Sequence, residues 1–316
     1  MGVLDLFKRA TSPVSRRFSH RPPPQEELFD DEFQRKLEML ALVSRKVFAG
    51  RMRAERRTKK KGSGVEFADH RNYAEGDDFR YVDWNIYQRF GKLLVRLYEE
   101  EEDLSIYLIV DCSSSMAFGD GQKFNHARRL CAALAYVGLA NLDRVTIVGV
   151  SDGELVRMPP TRGKGRIFKV FNFLRDLDSS GTTELAETLR MFVAQHKRRG
   201  LAVLISDLYD PAGFEGGINM LRFNKFEPFV LHIVDKREAR PDLKGDVRIY
   251  DCETGEEREL TVTASMLDKI SEAWRQYSES IERFCASRQV AYFAASVDVP
   301  FEELVLQVFR RGGFLR

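Results

Sequence analysis

Asp111, Ser113 and Ser115 set one carboxylate and two hydroxyls on alternate residues of a short loop. Oxygen-only donors suit a hard cation, Mg²⁺ above all, with Mn²⁺ or Ca²⁺ as alternatives. Read alone, Asp-x-Ser-x-Ser is a weak pattern, equally at home as a Ser-rich loop that caps the next helix. It does not stand alone: Gly181-Thr182-Thr183-Glu184-Leu185 brings further hydroxyls, and Asp207 a second carboxylate. A carboxylate loop, a threonine loop and a distant aspartate, in that chain order, point to one oxygen-lined site.

The elements that must position these groups are two strands. Ile106 to Val110 is an unbroken apolar run rich in β-branched residues, as expected of a strand buried on both faces, and it stops at Asp111. Leu201 to Ser206 repeats the pattern and stops at Asp207. Both aspartates then fall at the carboxyl edge of a sheet, where open α/β sheets bind ligands. Around them the sequence alternates. Helices are expected over 123–141, 166–177, 184–196, 211–223 and 301–309, and a long one presenting Leu267, Ile270, Trp274, Tyr277, Ile281 and Phe284. Strands are expected over 145–150, 229–234 and 290–295, with a short edge strand over 154–158. The fold class is α/β, a doubly wound, mostly parallel sheet, with a hairpin inserted at 245–262 that turns at Thr254-Gly255. His232 reads as a core histidine.

With these residues in place, the sequence resembles the von Willebrand factor A fold and its metal-ion-dependent adhesion site. The resemblance implies Asp111, Ser113, Ser115, Thr183 and Asp207 as metal ligands. Thr183 is chosen because it stands two residues before Leu185; Thr182 remains the alternative. GVEFADHRNYAEGDDFRYVDW, LLVRLYEEEE and the metal loop together resemble the bacterial domain-of-unknown-function 58 family. That resemblance runs from about Val65 to the C-terminus. It implies a partnership with a MoxR-type AAA+ ATPase in assembly or maturation of protein complexes, and a client protein whose Asp or Glu completes the metal shell.

The N-terminal region divides into a flexible arm (1–28), a helix and basic linker (29–62) and a β-rich segment (63–103), before the von Willebrand A-like domain (104–316). Asp30 and Asp31 precede Phe33, Leu37, Leu40 and Val47 at helical spacing, so the helix is expected to reach about residue 50. The basic run Arg51 to Lys61 reads as a solvated linker, with nucleic-acid phosphate binding as its functional alternative. The dense charges and aromatics of 64–104 read as salt-bridged turns packed on a core, or as a partner-binding face.

A net charge of +2 gives no global drive toward nucleic acid or membrane. Cys112, Cys131, Cys252 and Cys285 form no C-x-x-C pair, and a reducing cytoplasm suits them. No apolar run approaches the ~18–20 residues that span a bilayer. The enzymatic alternative is a Mg²⁺-dependent phosphohydrolase. Ser113 stands where such enzymes place a second aspartate as general acid, and a serine cannot do that work at neutral pH. Cys112 as a nucleophile would need a base, whereas the nearest histidine, His126, lies well into the following helix. No catalytic constellation emerges, and a metal-dependent protein-binding module is the favoured reading.

Overall fold

The computed structural model describes residues 28–40, 57–60, 66–101, 104–119, 121–182, 184–251 and 257–311. The chain divides into two compact units, Met1–Ser44 with Leu104–Leu315, and Arg45–Asp103 with Arg316.

The larger unit is built on a six-stranded sheet formed by β4 (Ser105–Asp111), β5 (Arg144–Ser151), β6 (Glu154–Arg157), β7 (Leu201–Ser206), β8 (Glu227–Val234) and β11 (Ala291–Ser296). Their order is β11-β8-β7-β4-β5-β6, parallel throughout except for β6, which pairs antiparallel with β5. This is the expected mostly parallel α/β architecture. β4 lies between β7 and β5, and every one of its residues is buried, which is why it reads as a continuous apolar run. Helices α3 (Gln122–Ala140), α4 (Ile167–Arg175), α5 (Leu185–Gln195), α6 (Glu215–Phe223), α7 (Lys236–Ala239), α8 (Ala264–Ser287) and α9 (Phe301–Arg311) alternate with the strands. No helix among the described residues is long and apolar enough to cross a membrane.

One part of the core gathers around Phe192 of α5, which is fully buried against Tyr107 of β4 and Phe226, ring centroids 5.3 and 5.4 Å away. The expected N-terminal helix, α1, is present over residues 31–40, opened by the Asp30 carboxylate accepting from the Phe33 N–H at 2.7 Å. Phe33, Leu37 and Leu40 are buried as their spacing requires; the expected continuation through Val47 lies outside the described residues. The hairpin is β9 (Gly245–Tyr250) paired with β10 (Glu257–Val262) as a separate two-stranded sheet, and its turn also lies outside the described residues. On α8 only Ile270 and Ile281 of the expected face are fully withdrawn from solvent; Tyr277 and Phe284 pack against the core while partly exposed.

The smaller unit contains an antiparallel sheet, order β1-β3-β2, of β1 (Arg57–Lys60), β2 (Glu66–Asn72) and β3 (Leu94–Glu101), with helix α2 (Trp84–Phe90). The linker reading of 51–61 is corrected over 57–60, which form β1. The register sets Arg57 opposite Glu101 and Lys59 opposite Glu99. The expected salt-bridged turns are present. Asp83 caps α2 by accepting from the Asn85 and Ile86 N–H groups, and it also accepts from Arg96 Nε at 2.9 Å. The Arg96 guanidinium and then His70 hold its carboxyl well below the usual range. The aromatics depart from the expected packing: Phe79, Trp84 and Phe90 are 58%, 51% and 70% exposed.

His126, on α3, has a buried ring Nε2 with no hydrogen-bond partner among the described residues, and burial, then Arg129, lowers its pKa from 6.5 to about 4. Because the folded value lies below the unfolded one, the unfolded chain takes up the proton first as pH falls. The stability contribution is therefore whole above pH 6.5 and is lost as pH falls toward about 4. Between pH 7.5 and 5 the wild type is expected to lose about 2 kcal/mol that a His126→Gln variant does not. Urea melts of both proteins at both pH values measure this difference. Equal pH sensitivity would show that His126 stays accessible to protons in the fold.

Candidate metal centre

Parallel strands end at the same edge of a sheet, so neighbouring β4 and β7 bring Asp111 and Asp207 together. The register pairs Val110 with Ile205, which sets Asp111 beside Ser206. The Ser206 hydroxyl donates to Asp111 Oδ2 at 2.5 Å, and the Ser113 N–H donates to Asp111 Oδ1 at 2.9 Å. The Ser113 and Ser115 hydroxyl oxygens lie 3.0 Å apart, and the Ser115 hydroxyl helps to hold the Asp207 carboxyl low. Asp111, Ser113, Ser115 and Asp207 thus gather their oxygens at one place on the sheet edge. All but Ser115 are essentially withdrawn from solvent.

The threonine loop docks on the Asp111 loop through its backbone. The Ser180 N–H donates to the Cys112 carbonyl at 2.7 Å, and the Ser114 N–H to the Gly181 carbonyl at 3.0 Å. Gly181 has φ +81°, and a Cβ there would fall 1.9 Å from the Asp152 carboxylate, so only glycine fits. Asp152 Oδ1 accepts from both the N–H and the hydroxyl of Thr182, at 2.5 and 2.9 Å. The Thr182 hydroxyl is therefore committed to Asp152. Thr183 lies outside the described residues.

The sequence reading missed a third charged layer. Lys123, near the start of α3, is fully buried, and its Nζ donates to Asp207 Oδ2 at 2.6 Å and to Glu238 Oε1 at 2.5 Å. The same ammonium lies 5.0 Å from the centre of the Tyr209 ring. Asp207 Oδ1 is also engaged, accepting from the Tyr209 N–H at 3.1 Å. A signal for Lys123 was available. It stands four and seven residues before Ala127 and Leu130, on the apolar face of its helix, where a lysine must find buried partners.

These surroundings separate the acids. Burial, then the charge of Asp207, raises the Asp111 pKa to about 6. Burial also acts on Asp207, but the Lys123 ammonium outweighs it and holds that carboxyl below its ordinary value. Glu238 is pushed up to about 7 by burial, against the pull of Lys123. Two buried carboxylates with one ammonium on the far side of the second leave negative charge uncompensated at Asp111, which suits an added cation. Among the described residues no three His, Cys, Asp or Glu side chains gather as a metal-binding group. The donor set is two carboxylates with hydroxyls, which fits a hard divalent ion and not a soft one.

Cys112 points beneath this loop, and burial, then the charge of Asp111, pushes its thiol up to about 12. A thiol so placed is not a nucleophile at neutral pH. His232 is buried with its Nδ1 3.0 Å from the Tyr292 hydroxyl, a core histidine as expected.

A family model described as "Protein of unknown function DUF58" matches residues 69–280. An uncharacterized protein of Mycobacterium tuberculosis is 25% identical over 228 residues, covering 70% of this chain and 71% of its own length. One from Mycobacterium avium is 30% identical over 101 residues, covering 32% of this chain and 59% of its own. Solved structures similar to the chain include the hypothetical protein BatB of Bacteroides thetaiotaomicron, at TM-score 0.40 and 14% identity over 66% of this chain and 99% of that one. The SpRpn10 VWA domain matches at TM-score 0.38 and 12% identity, over 65% of this chain and 94% of that one.

Proposed function

The chain belongs to the DUF58 family, and from that premise we propose that it is a metal-dependent protein-binding module. The observation that carries this reading is the gathering of the Asp111, Ser113, Ser115 and Asp207 oxygens at the carboxyl edge of the sheet. Asp111, Ser113 and Ser115 would hold a Mg²⁺ ion, with the threonine loop beside them. A cation there supplies a Lewis-acidic position that a carboxylate from a partner can complete. The chain's own groups keep that position in order. Ser206 and the Ser113 N–H orient Asp111, and the Thr182–Asp152 pair fixes the loop that closes the site from the β5 side. The partner side of the proposal is a client protein offering Asp or Glu, together with a MoxR-type AAA+ ATPase, in the cytoplasm.

Calorimetric titration of Mn²⁺ or Mg²⁺ into the protein and an Asp111→Ala variant tests the metal. Binding by the wild type is expected to be lost in Asp111→Ala, while the far-ultraviolet spectrum is retained. A capture experiment on cell extract, with Mg²⁺ and then with chelator, tests the partner. An AAA+ ATPase or acidic client retained only with metal, and only by the wild type, is the expected result. Unchanged metal affinity in Asp111→Ala would remove the site.

A further inference from the structure

We propose that Lys123 is a built-in cation that sets the metal affinity of this centre, holding it low until a partner carboxylate joins. The inference rests on the reading of the Asp111 loop as a divalent-cation site, and deepens it by naming the residue that controls how tightly the ion is held.

The geometry carries the argument. Asp207 is the second carboxylate of the centre, and both its oxygens already have donors: Oδ2 takes the Lys123 ammonium at 2.6 Å and Oδ1 the Tyr209 N–H at 3.1 Å. Among the described residues the hydrogen bonds to Asp111 come from neutral donors, the Ser113 N–H and the Ser206 hydroxyl, and the charge beside it, that of Asp207, is negative. An incoming divalent ion therefore meets one carboxylate free of positive charge and one whose charge is already spent on an ammonium. It must also sit in the field of that ammonium, beside carboxylates that are themselves buried, where charges are weakly screened. A single carboxylate with hydroxyls is a weak ligand set for Mg²⁺, which dehydrates reluctantly. A partner carboxylate restores the missing negative charge, so ion and partner are held jointly.

Lys123 also does structural work that an ion would otherwise do. Through Asp207 and Glu238 it ties the start of α3 to the end of β7 and to α7. The Asp111 loop is thus assembled in advance, and metal binding need not supply the energy of folding it. Glu238 is the second arm of this device. Held in a capping box with Asp235 at the start of α7, it shares the ammonium and draws part of its charge away from Asp207.

The test is calorimetry with Mn²⁺ on the full chain. Lys123→Met combined with Glu238→Gln removes one positive and one negative charge together and frees Asp207. Its Mn²⁺ affinity is expected to rise at least ten-fold over the wild type, and to vanish when Asp111→Ala is added. Glu238→Gln alone is close to isosteric and leaves the ammonium wholly to Asp207, so its affinity is expected to fall several-fold. If the double variant does not fold, this single variant decides, and an unchanged or higher affinity overturns the inference. A folded double variant that binds Mn²⁺ no better than wild type also overturns it, while Asp111-dependent binding in the wild type would leave the metal reading standing. No Mn²⁺ binding in either wild type or double variant would overturn both. Binding only in the double variant would support the inference and overturn the expectation that the wild type binds the metal without a partner.

Discussion

Lys123→Met alone is expected to cost the fold about 3–5 kcal/mol, because removing one partner of a buried ion pair strands the others. Asp207 and Glu238 have side chains 0% and 2% exposed, so neither can turn to water when the ammonium goes. A buried carboxylate left without its cation takes up a proton or draws in solvent, and both routes loosen the end of β7 and the start of α3. At about 2–4 °C per kcal/mol for a domain of this size, the melting temperature should fall by roughly 10 °C. Adding Glu238→Gln should return a large part of that loss, since one stranded carboxylate remains in place of two. Thermal melts of the wild type and the single and double variants measure this. A single variant within about 1 kcal/mol of wild type would mean that Lys123 gains as little from its pairing as an exposed ion pair does.

Lys123 also marks where the sequence stops being readable. The two strands that carry the aspartates were legible because a strand buried on both faces must be apolar throughout. Asp111 and Asp207 were legible as a pair because parallel strands end at one edge. Both inferences need only local pattern and chain direction. The partners of Lys123 lie 84 and 115 residues away along the chain, and no local spacing connects them. Ser206 was legible as the last residue of its strand, but its bond to Asp111 depends on the β4–β7 register, which side-chain alternation cannot fix in a strand buried on both faces. The strand at 57–60 was hidden for a similar reason. Arg-Thr-Lys-Lys has no strand pattern of its own, and its pairing with β3 lies about forty residues away along the chain. The exposed rings of Phe79, Trp84 and Phe90 show the converse limit, since aromatic content alone does not say which rings are covered.

The register that joins Asp111 to Ser206 is guarded at the opposite end of the strands by Gly200, and Gly200→Ala is expected to destabilise the fold by about 3 kcal/mol. Gly200 immediately precedes β7, whose first residue, Leu201, pairs with Ile106 of β4. A Cβ on Gly200 would lie 2.1 Å from the Ser105 carbonyl oxygen and 3.0 Å from the Ser105 Cβ. On its other side the Gly200 carbonyl accepts from the Glu227 N–H of β8 at 3.0 Å, so the residue is clamped between two strands. The obstacle is backbone and not the end of a flexible side chain, so relief requires β4 and β7 to move apart where their pairing begins. Gly216→Ala on α6 makes the contrast, because its Cβ would meet only Ala186 Cβ at 3.7 Å. That substitution is expected to be neutral or to stabilise the protein by up to about 1 kcal/mol, as alanine is favoured over glycine in a helix. Chemical denaturation of the two variants beside wild type reads both signs in one series. If Gly200→Ala were as mild as Gly216→Ala, the close approach of β7 to β4 would be looser than the pairing of Leu201 with Ile106 requires. The Asp111–Ser206 contact at the far end would then need another source of its alignment.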